Sequence, residues 1–225
     1  MMLEKLPRKL KLVKNGNILP KTPITFEKSY QTIAFPNGQS AQLLTAPPDA
    51  SPEQTAFKLP CTTPKSLIMV SGEAKDIEPA GQQRLTQLFS RGIARAAVNL
   101  DAVLMDNGKT SELVAITGQS VADRGYKSPL IGVTSAMQVT YPGQSAAPDQ
   151  ATPLDPNHSH FVLVETQYPA QEIAFRYQLG AAVATKKPAV TILVNGGEQS
   201  RAELLLRLAF RLAYYCVVGY WAISR

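Results

Sequence analysis

From residue 66 onward the chain alternates short, unbroken apolar runs with longer stretches in which apolar side chains recur every three or four positions. The runs are "SLIMVS" (66–71), "AVLM" (102–105), "PLIGVT" (129–134), "FVLV" (161–164) and "AVTILV" (189–194). Continuous apolarity over so few residues marks a strand covered on both faces. Helical spacing fills the intervals. Leu85, Leu88, Phe89, Ile93, Ala96, Ala97 and Leu100 form one stripe, beginning near Glu78-Pro79, where proline suits a first helical turn. "SELVAITGQSVADRG", "AQEIAFRYQLGAAVATKK" and "EQSRAELLLRLAFRLA" predict the other helices. Strands spaced by helices predict βαβ units with right-handed crossovers, and so a Rossmann-like α/β domain with a parallel sheet flanked by helices.

Before residue 66 the pattern is different. "ITFEKSYQTIAF" and "QSAQLLTA" flank Pro36-Asn37-Gly38, turn chemistry that predicts an N-terminal β-hairpin extension. "PPDASPEQ" and "LPCTTPK" read as loops, so regular architecture is expected to begin at residue 66. At the other end, "LAYYCVVGYWAI" (212–223) is apolar over 12 residues, short of the roughly 20 that cross a bilayer. "YYCVV" within it reads as a last buried strand.

A chain of 225 residues with 44% hydrophobic content can bury a core without disulfides or metals. Two remote cysteines, Cys61 and Cys216, and the lack of a charged-then-apolar leader give the expectation of a cytoplasmic protein. The net charge of +6 is uneven: residues 1–28 hold seven lysines and arginines against two glutamates. We therefore divide the chain into a basic arm (1–23) and one domain (24–225). No aromatic interleaves the arm's charges as stacking on bases would require, so the arm reads as a solvated tail without nucleic-acid binding. Membrane contact, if any, is expected only through that arm or the apolar C-terminus.

In open parallel sheets, ligands bind beyond the carboxyl ends of the strands, where helix N-termini direct free N–H groups. Four strand-to-helix junctions are polar and rich in small residues: "VSGEAKD" (70–76), "MDNGKTSE" (105–112), "VTSA" (133–136) and "VNGGEQS" (194–200). Facing one edge, they would cradle a phosphate or a ribose. Gly196-Gly197 allows close backbone approach after a strand. Gly108-Lys109-Thr110 matches the tail of a phosphate loop, but Val103 stands where that pattern needs glycine, which excludes a nucleoside-triphosphatase loop. Lys109 and Thr110 remain able to meet an anion, and Thr110 or Ser111 would cap the helix that follows. Glu73 and Glu172 lie near helix starts, where the dipole favours an acid with or without a ligand.

His158 and His160, in "LDPNHSHF" (154–161), are the only histidines. Two apart on an extended segment they could share a face, yet only Asp155 is near as a third ligand, so no metal is expected. No serine elbow or reactive-cysteine signature accompanies them. The expectation is structural: ring nitrogens bonded to loop backbone, holding "LDPN" against the strand edge.

"LDPNHSHFVLVE" resembles a segment of the cytosolic N-terminal region of melastatin-type TRP channels. The order "LIMVSGEA", "SRGIARAAVNLDAVLMDNGKTSELVAITG", "PLIGVTSAMQVTYPG", "LDPNHSHFVLV" and "PAVTILVNGGE" is similar to that region's prokaryotic stand-alone relatives, the LSDAT branch of the SLOG superfamily, over roughly residues 24–204. The resemblance implies a Rossmann-like domain that senses nucleotide-derived ligands, of the ADP-ribose or NAD-derivative class; no resident cofactor is expected. Carried over by position, the ligand-side residues are Gly72 and Glu73, then Asn107, Gly108, Lys109 and Thr110, then Ser135, and finally Asn195, Gly196, Gly197 and Glu198. This chain departs from the family at Glu73, where a second glycine is usual; at Asn107–Thr110, where Gly-Gly-Thr is usual; and at "VVGYWAISR", where a Gly-Ser-Gly loop is expected.

The leading functional expectation is a non-catalytic sensor of a nucleotide-derived small molecule, acting through a homo-oligomer or an effector partner. One alternative is a LOG-like hydrolase of an N-glycosidic bond, with Glu198 or Glu203 as the acid. Another is a degenerate scaffold that binds nothing and works through oligomerisation.

Overall fold

The computed structural model describes residues 30–59, 64–75 and 77–195, together with the backbone of one further strand, 213–217. The basic arm, Cys61, and the expected helix over 198–213 lie outside these residues, apart from Ala213, which opens that last strand.

Strands β1 (Tyr30–Ala34) and β2 (Ser40–Ala46) form the hairpin around Pro36-Asn37-Gly38. Then come α1 (Pro52–Lys58), β3 (Ser66–Gly72), α2 (Pro79–Gln87), α3 (Ala94–Asn99), β4 (Ala102–Asp106), α4 (Glu112–Ala122) and β5 (Leu130–Ser135). Two short strands, β6 (Val139–Thr140) and β7 (Thr152–Pro153), precede β8 (His160–Val164), α5 (Pro169–Val183), β9 (Ala189–Val194) and β10 (Ala213–Val217). The main sheet runs β1-β2-β8-β5-β4-β3-β9-β10, parallel throughout except at β1, the antiparallel edge. This is an α/β fold in which all five apolar runs become strands.

Two layers of apolar side chains explain why. On one face Leu67, Met69, Val103, Met105, Ile131, Val133, Val162 and Val164 pack beneath α5 through Phe175, Tyr177 and Leu179. On the other, Ile68, Val70, Leu104, Leu130 and Ile192 meet Leu85, Phe89, Ile93, Ala97, Leu113 and Val121 of α2–α4. Both faces of the central strands are dry, so neither can alternate with polar residues.

The structure corrects the reading of the N-terminal third. Regular architecture is present well before residue 66, from the first described residue, Tyr30, and β2 joins the main sheet by parallel pairing with β8, from Gln42↔His160 to Ala46↔Val164. "PPDASPEQ" is not all loop: Ser51 caps α1, its hydroxyl accepting from Gln54 N–H at 3.3 Å, and Pro52 occupies the first turn.

The stripe over 85–100 is also revised. One π-helical turn, Leu88–Ile93, joins α2 to α3 and widens the repeat. Leu85, Phe89, Ile93 and Ala97, each four apart, therefore face the core, while Leu88 and Leu100 turn outward, Leu100 being 56% exposed. Arg124 takes the Ser90 carbonyl of this turn, donating from Nη2 at 2.8 Å. Among the described residues no helix is long and apolar enough to cross a membrane.

Candidate functional site

At the carboxyl ends of β3 and β4 lies a cleft of about 680 Å³. Val70 through Lys75 form one wall and Asn107 and Lys109 through Glu112 the other, and among the described residues Thr152 and Arg176 complete the lining. Two of the four sequence-marked junctions thus meet. This is the edge where an open parallel sheet exposes strand ends to a ligand.

The first wall is set by a close crossing. A Cβ on Gly72 would fall 1.9 Å from the Val194 carbonyl oxygen, and φ of +109° is one that side chains rarely adopt, so only glycine lets β3 and β9 approach so tightly. The next amide, Glu73 N–H, then donates to that same carbonyl at 3.0 Å. The Glu73 side chain is exposed and lines the cleft.

The second wall is a clamped turn. Asp106 closes β4, and its Oδ1 accepts from Gly108 N–H at 2.7 Å; Asn107 Oδ1 accepts from Lys109 N–H at 3.0 Å. Gly108 O accepts from Asp155 N–H at 2.9 Å, and Thr110 N–H donates to Pro153 O at 2.8 Å. Gly108 does not line the cleft: an added Cβ would sit 2.8 Å from both Gly132 Cα and the Phe161 ring, so this glycine serves packing beneath the turn. Ser111 is the cap of α4, its hydroxyl accepting from Val114 N–H at 3.4 Å.

Charge on the cleft floor comes from a buried group. Glu172, 3% exposed in the first turn of α5, accepts from Arg176 Nη1 at 3.0 Å and lies 3.8 Å from Lys109 Nζ. Lys109 Nζ also donates to Gln138 Oε1 at 3.0 Å. Arg176, itself 5% exposed, was missed in the sequence, where an arginine in a helical pattern reads as solvated. The signal available was Glu172 four positions earlier, the spacing of a helical ion pair.

Of the remaining expected site residues, Ser135 and Asn195 are described and neither lines the cleft. Ser135 is fully buried; its hydroxyl donates to the Thr166 carbonyl and accepts from Met137 N–H at 3.1 Å. Asn195 follows β9 with φ of +42° and is not among the lining residues. Gly196, Gly197, Glu198 and Glu203 lie outside the described residues.

His158 is buried between two carboxylates. Nε2 is 2.8 Å from Asp106 Oδ1 and Nδ1 is 3.2 Å from Asp155 Oδ1, and the ring stacks on Phe161 with centroids 5.2 Å apart. The expected backbone partners are replaced by side chains: Asp106, the last residue of β4, and Asp155, just before the turn at 156–157, both reach the ring. Burial disfavours its charge, but the Asp106 and Asp155 carboxylates outweigh this and raise its pKa from 6.5 to about 9. An imidazolium thus holds two acids together. His160 pairs instead with Ser159, Nδ1 to Oγ at 2.8 Å, and burial lowers its pKa. The two histidines do not converge, and among the described residues no group of three or more acids, histidines or cysteines could hold a metal.

Lys109 and Arg176 thus bring two cations to the cleft, where Lys75 adds a third and Glu73 and Glu112 contribute carboxylates. Among the solved structures, the chain is similar to the molybdenum cofactor binding protein from the phototrophic bacterium Rippkaea orientalis, at 12% identity and a TM-score of 0.31, over 70% of this chain and 92% of that one. A family model described as SLOG in TRPM, prokaryote, matches residues 65–219, a span that contains both cleft walls, the clamped turn and the histidine segment. With more than half of its length so matched, the chain belongs to the prokaryotic LSDAT family of SLOG domains.

Proposed function

We propose that this domain is a non-catalytic binding module, a cytosolic sensor for a nucleotide-derived anion of the ADP-ribose or NAD-derivative class, seated in the cleft at the ends of β3 and β4. The observation that carries the reading is the buried Arg176 guanidinium reaching the cleft floor beside Lys109. A guanidinium removed from water at the strand-end crevice of a parallel sheet is suited to phosphate recognition. The Ser111-capped N-terminus of α4 opens on the same cavity and adds its dipole. Glu73 and Glu112 offer acceptors for ribose hydroxyls.

Thermal unfolding with ADP-ribose, NAD, cyclic ADP-ribose and AMP tests this. A ligand at about 100 times its Kd stabilises by roughly 2.7 kcal/mol, readable as a rise in Tm. Lys109→Ala should remove most of that rise while leaving the ligand-free Tm within a few degrees, since Lys109 is only partly buried and Arg176 still pairs with Glu172. The absence of a rise with all four ligands would refute the sensor reading and favour the scaffold. Release of free base from AMP would establish hydrolysis in its place.

A further inference from the structure

We infer that Glu172 is a positioning residue that limits the phosphate charge the cleft accepts, an inference that rests on the anion-binding reading above. Glu172 is not a lining residue; it lies under the cleft and touches both floor cations, Arg176 at 3.0 Å and Lys109 at 3.8 Å. Its carboxylate therefore does two things at once. It tethers Arg176, because Nη1 donates to it at 3.0 Å and that bond restricts where the guanidinium can go. It also cancels part of the positive field, because a buried negative charge within one side chain's length is little screened by solvent.

The charges of the described residues balance around it. Lys75, Lys109 and Arg176 face Glu73, Glu112 and the buried Glu172, three cations to three carboxylates. Among the described residues the cleft is balanced in charge, with Lys109 and Arg176 beside Glu172 and Lys75 on the first wall with Glu73, and so fits a ligand with one phosphate or a pyrophosphate bridge between two nucleoside-like halves. It does not fit a terminal polyphosphate, whose extra charge would meet Glu73 and Glu112 at the rim. Gln138 holds Lys109 from the other side at 3.0 Å, so the ammonium cannot swing away from Glu172 without losing a second bond. The pair is arranged beforehand, and the acid sets its strength.

Glu172→Gln separates positioning from charge. The amide keeps an oxygen for Arg176 and removes the negative charge. Titration calorimetry with ADP-ribose and with ADP, for the natural chain and the variant, gives the result. ADP-ribose should bind the variant about tenfold more tightly, the size expected for removing one poorly screened charge near a phosphate. ADP, with its terminal phosphate, should gain more than ADP-ribose, and log Kd should depend more steeply on salt. Unchanged or weaker affinity in Glu172→Gln, with ADP-ribose still bound by the natural chain, would overturn the role of Glu172 and leave the anion-binding reading standing. A lowered Tm with unchanged affinities would show Glu172 to be a fold residue only, which also overturns it. Failure of the natural chain to bind either ligand would remove both inferences together.

Discussion

Raising the pH should weaken this fold through one side chain. His158 has its pKa raised from 6.5 to about 9 by Asp106 and Asp155 against the opposing effect of burial. A group with a raised folded pKa stabilises fully below its unfolded value and loses that contribution as pH rises through the folded one. At about 1.36 kcal/mol per pKa unit, the shift corresponds to roughly 3 kcal/mol, present near pH 6 and gone by about pH 9.5. Urea unfolding followed by circular dichroism across that window measures it. The reference is His158→Gln, which cannot be charged and leaves two buried carboxylates facing a neutral group, a loss of about 3 to 5 kcal/mol near neutrality. The two proteins should differ most near pH 6 and converge as the pH rises, because lysines and tyrosines titrate alike in both. Parallel pH profiles would refute the reasoning, since they would mean that His158 is neutral in the folded protein.

Two further substitutions probe one cleft wall and one expected site residue that lies outside the cleft. Gly72→Ala puts a methyl 1.9 Å from the Val194 carbonyl at a φ of +109° and should cost about 3 kcal/mol or more in urea unfolding; a loss under about 1 kcal/mol would show that β3 and β9 can part there. Ser135→Ala removes a buried hydroxyl that serves the Thr166 carbonyl and Met137 N–H, so it should lower stability by about 1 to 3 kcal/mol and leave ADP-ribose affinity unchanged. A selective loss of affinity would place Ser135 in the site after all.

The sheet was legible because a strand covered on both faces leaves no room for polar residues, and "LIMV", "AVLM" and "AVTILV" carry that constraint locally. Helix α1 was not, since seven residues give too little periodicity to outweigh Pro47, Pro48 and Pro52. Its Ser51 cap is readable but lies in a proline-rich segment with the pattern of a loop. The π turn at Leu88–Ile93 was hidden because 85, 89, 93 and 97 fit an ordinary helical stripe within its tolerance, and only the outward Leu88 and Leu100 betray the extra residue. At the cleft, Glu73, Asn107, Lys109 and Thr110 followed from the rule that ligands meet strand ends. Arg176 did not, because it reaches the cleft from the middle of a helix on the opposite face of the sheet from α4. Its position depends on α5 packing across β3 and β5, a long-range fact.

The histidine segment shows how a sequence can mark a site without entering it. Asp106 Oδ1 accepts from both His158 and Gly108 N–H, so the imidazolium and the turn of the second wall compete for nothing and share one oxygen. Asp155, the other acid on His158, donates its own N–H to Gly108 O, and Pro153 receives Thr110 N–H. Every bond from 153–158 to the turn thus ends on Asp106, Gly108 or Thr110, while the Lys109 side chain is left to Gln138 and Glu172 on the cleft side. The segment fixes the backbone of the turn from below and leaves its cation facing up. A negative charge must close β4 for this to work, because a neutral residue at 106 would neither hold a buried imidazolium nor draw the Gly108 amide under the strand end. "PNHSHF" therefore acts on the cleft through the shape of residues 106–110, and a ligand there would meet the clamped turn rather than the clamp.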